Sequence, residues 1–200
     1  MKRLATYLLV ALHLLLAAGV LTAFSQVRNE RVKGNGNVKQ ESRNAAAFTD
    51  ISTSGVYKVV LEQGNTHSIR VEAEDNLLPY IETAISGGEL SIHTKQGYHI
   101  SPTKDITVYV VMKKVSRLSA SGAGGYTSKG VLNSDRIQLQ FSGAADANLD
   151  IHTRRLNVGL SGSSNVKLKG SSEKAENGIS GTADISSLDL STGEARIGIS

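Results

Sequence analysis

Four segments of the second half of the chain repeat one another. LSASGAGGY, LQFSGAADANL, VGLSGSSNVKL and NGISGTADISSL carry Ser-Gly pairs beginning at Ser121, Ser142, Ser161 and Ser180. The spacings are 21, 19 and 19 residues, and Ile199-Ser200 opens a further copy 20 residues on. One and three places before each Ser stand Phe141 and Leu139, Leu160 and Val158, Ile179 and Asn177, Ile199 and Ile197. Five places after it stand Tyr126, Ala147, Val166 and Ile185. Apolar residues alternating on both sides of a Ser-Gly corner describe two short strands per repeat, and a period near 20 in an all-β chain predicts stacked repeats that bury their inner faces only together. Recurring turn chemistry argues against a sandwich, whose successive turns differ. The expectation is therefore all-β, with an N-terminal β-hairpin region continuing into a right-handed parallel β-helix, a solenoid with a coil of about 20 residues. The break at Ser200, in mid-repeat and without a polar cap, predicts further repeats or a pairing chain.

The preceding segment supplies the hairpins. Tyr57, Val59 and Leu61 share a face opposite Lys58 and Glu62, and Ile69, Val71 and Ala73 alternate with Ser68, Arg70 and Glu72. Gln63-Gly64-Asn65 between them predicts a hairpin from Tyr57 to Ala73, and Gly87-Gly88 predicts another joining Ile81–Ile85 to Leu90–Thr94. A fifth strand is expected at Ile106–Met112, beyond the loop that Pro102 interrupts, and one short helical turn within Asn76–Tyr80.

The N-terminus sets the compartment. Lys2 and Arg3 precede an uncharged run from Leu4 to Val27, and Ala23 and Ser25 stand at the −3 and −1 positions of a cut before Gln26. Residues 1–25 thus read as a signal peptide, 26–45 as an N-terminal extension and 46–200 as the β domain, hairpins over 46–114 and Ser-Gly repeats over 115–200. The competing reading of the first segment is an uncleaved anchor, since it is long enough to span a bilayer. Export to the periplasm, the outer membrane or the cell surface is expected, with no membrane span after cleavage. The chain has no Cys, so neither disulfides nor a lipid-bearing thiol contribute. Removing Lys2 and Arg3 from the 22 basic residues leaves 20 against 18 acidic ones, and the Lys and Arg are scattered without a run or stripe. With few aromatics, that balance excludes nucleic acid as a partner.

The run GNGNVKQESRN (Gly34 to Asn44), Phe48, Ile51, Ser54-Gly55, the Gln63-Gly64 turn, EAEDNLLPYI (Glu72 to Ile81) and the Ser-Gly repeats resemble the auto-transporter adhesin family whose unit is the head GIN domain. The resemblance covers about residues 32 to 200. It implies a signal peptide, a pectin-lyase-like right-handed β-helix without catalytic residues, and an adhesive role at the bacterial envelope. Two departures stand out: Ala175 and Asn177 replace the Leu or Val of neighbouring repeats, and the expected further coils are absent.

Candidate chemistry is sparse. Four places after the repeat Ser come Gly125, Asp146, Asn165 and Asp184. Stacked, they would suit either a cation or Asx-type turns, and two carboxylates with an amide between them are too few for calcium's six to eight oxygens. Ser142, Ser161 and Ser180 repeat as a corner does, without the elbow or unique base that a nucleophile needs. His67, His93, His99 and His152 form no metal-spaced pair. Lyase or hydrolase activity would have to use Asp146, Asp150, Asp184 and Asp189, which do not cluster in sequence. No catalytic, cofactor-binding or metal residue is therefore assigned, no cofactor is expected, and the oligomeric state stays open. Outward positions such as Gln138, Gln140, Asn157, Lys167 and Lys169 could instead form a flat polar face. The reading is a non-catalytic exported envelope protein, an adhesion or binding module whose partners are glycans or other envelope and surface proteins. A periplasmic scaffold or envelope-stress component, and a β-helix polysaccharide lyase or hydrolase, are the alternatives.

Overall fold

Alternation of apolar and polar residues runs through nearly every segment, so the chain forms strands almost throughout. The computed structural model describes residues 30–199. The strands are β1 (Glu30–Lys33), β2 (Val38–Arg43), β3 (Asp50–Gly55), β4 (Tyr57–Gln63), β5 (Ser68–Glu74), β6 (Ile81–Ser86), β7 (Glu89–Thr94), β8 (Tyr98–Ser101), β9 (Ile106–Met112), β10 (Arg117–Gly122), β11 (Gly125–Gly143), β12 (Asp146–Gly162), β13 (Asn165–Gly181) and β14 (Asp184–Ile199). A 3-10 turn, Leu78–Tyr80, carries Pro79 in the stretch where a helical turn is expected. The signal-peptide reading of residues 1–25 lies outside the described residues.

Strands β1 and β8 form a small separate sheet. The other twelve form one sheet in the order β2-β5-β9-β4-β11-β10-β3-β7-β6, with β12, β13 and β14 added successively on β11. This overturns the expected fold class. The hairpin strands are not a layer that leads into a parallel β-helix: β10 pairs with β3 and β11 with β4, while antiparallel pairs β2/β5, β5/β9 and β6/β7 continue the same sheet. The result is a nearly closed barrel of mixed strand order. Period and turn chemistry report where strands lie, not which distant strand each will pair with, and the mixed order arises from those distant pairings. The repeats themselves do stack, parallel and in register, but each is one bent strand of 16 to 19 residues rather than two short ones.

The expected Tyr57–Ala73 hairpin is also absent. Strand β9 lies between β4 and β5, parallel to the first and antiparallel to the second. Gly64 is not among the residues at positive φ, so no tight hairpin turn forms there. Ile106, Val108 and Val110 of β9 are each at most 1% exposed, and an all-apolar inner face of this kind is better served by two neighbours than by a sheet edge. The second hairpin does form: Gly87 and Gly88, at φ 58° and 81°, join β6 to β7 with Ser86 opposite Glu89.

Inward side chains line up across the sheet. Leu90, Ile51, Leu118, Leu139 and Val158 make one buried column, and Val108, Val59, Tyr126, Ala147 and Val166 another. Burying such aliphatic side chains contributes about 1.5–3 kcal/mol each, the main term set against the entropy of ordering the strands. Tyr126 stacks on Phe141 with ring centres 5.7 Å apart and donates its hydroxyl to the Ser119 carbonyl at 2.6 Å. Burial pushes its phenol pKa up, so it remains a donor. The first column ends in half-buried Asn177 and then Ile197, which is 66% exposed.

At the other end, the GNGN run wraps Glu74. Burial alone would raise this carboxyl's pKa, but the Thr103 hydroxyl (2.6 Å) and the amides of Thr103 (2.8 Å), Gly36 (2.6 Å) and Lys104 (3.4 Å) donate to it and hold it below the usual carboxylate range. Gly34 lies against the same carboxylate, so close that any side chain there would overlap it. Asn35 donates to Asp75 (2.7 Å) and Asn76 to the Lys33 carbonyl (2.8 Å), which locks the two segments together.

Candidate functional site

The Ser-Gly pairs form one column across five strands. Ser54-Gly55 of β3 opens it, followed in register by Ser121-Gly122, Ser142-Gly143, Ser161-Gly162 and Ser180-Gly181. Every Gly of the column has positive φ, between 92° and 129°. The first four Gly carbonyls also accept a hydrogen bond from the next corner: Ala123 donates to Gly55 (3.0 Å), Ala144 to Gly122 (2.8 Å), Ser163 to Gly143 (2.8 Å) and Thr182 to Gly162 (2.9 Å). A Cβ on Gly162 would stand 2.5 Å from the Gly143 oxygen, so conformation and space exclude a side chain independently. The serines are exposed, and Ser142 donates to the Ala120 carbonyl at 3.4 Å.

Beside this column the outer face sinks into a shallow open trough. Its floor is Ser119, Gln140, Gly159, Gly178 and Gly198, in register, and Ser121, Ser142, Ser161 and Ser180 make one wall. Gln138, Asn157, Glu176 and Arg196 make the other. The trough exists because three successive repeats place Gly at an outward position where Gln140 stands on β11. Of the expected polar face, Gln138, Gln140 and Asn157 meet here. Lys167 and Lys169 do not; Lys167 lies on a second outer face with Lys58, Thr127, Asp146 and Asn148.

On that second face Gly125, Asp146, Asn165 and Asp184 are in register. Asp146 accepts from the backbone and side-chain nitrogens of Asn165, at 3.3 and 3.2 Å, a bond between strands rather than an Asx turn within one. Asp184 is two strands from Asp146, roughly 10 Å at the spacing of paired strands, too far to share an ion. Asp150 pairs with Lys169 at 3.3 Å, and Asp189 is opposite the same lysine. His93 pairs with Glu82 (3.1 Å), His152 bonds Ser171, and His67 meets the edge of Phe48 with ring centres 5.1 Å apart. The acids, hydroxyls and imidazoles named as candidates are thus spread over different faces. Among the described residues no three His, Asp or Glu come together as a metal site, and no helix is long and apolar enough to cross a membrane.

A second corner escaped the sequence reading. Ser134, Thr153, Ser172 and Thr192 each turn a hydroxyl to the carbonyl two residues on, at 3.1, 3.2, 2.8 and 3.1 Å. Their spacing of 19, 19 and 20 residues was a usable signal. The next-but-one exposed column, Arg136, Arg155 and Lys174, contradicts the impression of scattered basic residues: 19-residue spacing in the chain becomes direct adjacency in the ladder.

The described residues thus form an all-β module with stacked polar columns and a shallow outer trough. The match to the family "Putative auto-transporter adhesin, head GIN domain" extends over residues 47–200, and the chain belongs to that family. A "putative adhesin" from Bacteroides fragilis has a similar fold, with 16% identity, TM-score 0.79 and coverage of 84% of this chain and 78% of that one. Two Parabacteroides distasonis structures are also similar. One, a "putative adhesin", has 18% identity, TM-score 0.74 and coverage of 85% and 81%. The other, a "putative lipid binding protein", has 20% identity, TM-score 0.69 and the same coverage. No curated protein matches the chain.

Proposed function

We propose that the chain is a non-catalytic, exported envelope protein that works as an adhesion or binding module at the cell surface, with the Gly-floored trough as its contact face. The trough carries this reading. Its walls offer hydroxyl, amide and charged groups at a regular strand spacing, and its floor lets an extended partner approach the backbone. Asp146 and Asp184 are kept apart by Asn165 in one column and Asp150 and Asp189 by Lys169 in another, and carboxylates that are never ladder neighbours support a module without turnover.

Gly178 provides the test, because nothing stands within 4 Å of where its Cβ would be. Gly178→Trp should fill the trough, keep the melting temperature and lose binding of the purified protein to a glycan array and to intact cells. Surface protease should remove the wild-type protein from intact cells. Protection until the outer membrane is opened, together with unchanged binding by Gly178→Trp, would replace this reading with a periplasmic scaffold.

A further inference from the structure

Along the ladder β11 to β14, charged columns mostly alternate or are diluted. Asp150, Lys169 and Asp189 alternate in sign, and Asn165 separates Asp146 from Asp184. The residues just before the basic column, Asp135, Arg154 and Glu173, alternate as well; Lys114 reaches Asp135 and Arg154 reaches Glu173, both at 3.8 Å. Alternation is what the ladder favours, because like charges directly opposite one another are destabilising.

Arg136, Arg155 and Lys174 break that rule. They are exposed, and each is the in-register neighbour of the next. Lys174 is neutralised by Glu194 of β14 at 3.2 Å, but neither Arg136 nor Arg155 pairs with a carboxylate among the described residues. Two exposed Arg on in-register positions of adjacent strands, without an internal counter-charge, form a site for external anions spaced along a line. Arg rather than Lys at both places suits planar, bidentate acceptors. No aromatic residue lies in these columns to stack a base, and no apolar residue in them to enter a lipid layer.

We propose that Arg136 and Arg155 form an anion-binding ridge for a carboxylate-bearing polysaccharide, whose successive sugar rings advance by about one strand spacing. This rests on the reading of the chain as a binding module, but not on the trough.

The test compares Arg136→Gln/Arg155→Gln with Lys58→Gln/Lys129→Gln, which removes the same charge from elsewhere on the surface. The probes are polygalacturonate, neutral amylose and phosphatidylglycerol vesicles, at low and high salt. The wild type should bind polygalacturonate in a salt-sensitive manner and ignore amylose. The ridge variant should lose roughly tenfold or more in affinity while the control variant loses little. Equal losses in both variants, or binding to the vesicles but not to polygalacturonate, would overturn the ridge. If polygalacturonate binding survives in the ridge variant and is lost in Gly178→Trp, the ridge fails while the module stands. If no glycan binds to any form, the module reading fails with it.

Discussion

The strands from β2 to β9, β8 excepted, and those from β11 to β14 share one sheet but hold their places by different means. In the repeats, each residue faces its own counterpart 19 to 21 positions away, so a single local solution, the Ser-Gly corner, serves every strand. In the earlier region each pairing is unique. Strand β9 inserts between β4 and β5, and a buried carboxylate, Glu74, draws together three amides and a hydroxyl from two separate loops. The core thins only toward the last repeats: Leu139, Leu149 and Ile151 are as fully buried as Ile51, Leu61 and Leu90, whereas Ile179, Ile185 and Leu190 are only partly so. One region is specified by repetition and the other by particular contacts.

The most direct way to break the comparison is to put a side chain in a repeated corner. Gly162→Val combines a left-handed backbone with a Cβ only 2.5 Å from the Gly143 oxygen, and should cost about 3 kcal/mol or more. Gly181→Val meets the Gly162 oxygen at 2.8 Å, nearer the thinning end of the core, and should cost less. Melting temperatures from circular dichroism will rank the two. Ser163→Ala, at an exposed hydroxyl, should hardly move them. Equal and negligible losses at both glycines would dissolve the distinction between repeated and particular contacts.

Glu74 tests the other region. Glu74→Gln keeps the shape but turns an amide NH2 toward donors, and should cost about 2 kcal/mol at neutral pH. The sign with pH follows from the lowered pKa. The carboxylate's stabilisation is fully present above its unfolded value near 4.5 and is lost as pH falls through the lower folded value. The gap in melting temperature between wild type and variant should therefore shrink on acidification below that point. A gap independent of pH would mean that the four hydrogen bonds do not distinguish the charged form.

Much of this was legible from the chain alone, and the failures have a common cause. The register of Ser142, Ser161 and Ser180 followed from spacing, as did the β6–β7 turn at Gly87-Gly88. The sheet order did not. Ser54-Gly55 belongs to the same column as Ser121-Gly122, yet 67 residues separate them, and nothing local announces that β3 will receive β10. The anionic column was expected to close Asx turns and instead bonds between strands. The stripe of Arg136, Arg155 and Lys174 is invisible along the chain, where 18 residues separate its members, and exists only across the ladder. Ser164 looks like a loop residue by composition, but it is fully buried in the place that Ala145 and Ala183 occupy in neighbouring repeats.

The smallest expected effects lie at such positions. The Ser164 hydroxyl and the Asn177 side-chain carbonyl have no hydrogen-bond partner. Asn177→Leu, restoring the apolar column, should stabilise by about 1 kcal/mol, and Ser164→Ala should fall within about 0.5 kcal/mol of neutral. Urea denaturation resolves differences of this size. Destabilisation by Asn177→Leu would imply that the polar atom is satisfied and that the repeat end is held by a particular contact after all.

The chain of corner carbonyls, each receiving an amide from the next repeat, makes length a variable that selection can adjust in whole steps. A unit such as residues 163–181 both begins and ends one corner apart, so its gain or loss leaves every remaining donor facing an acceptor of the same kind. The corners are joined alike across spacings of 21, 19 and 19 residues, the odd residues being absorbed in register shifts between corners. The reach of the outer faces is therefore set by the number of whole repeats, independently of the uniquely paired N-terminal strands.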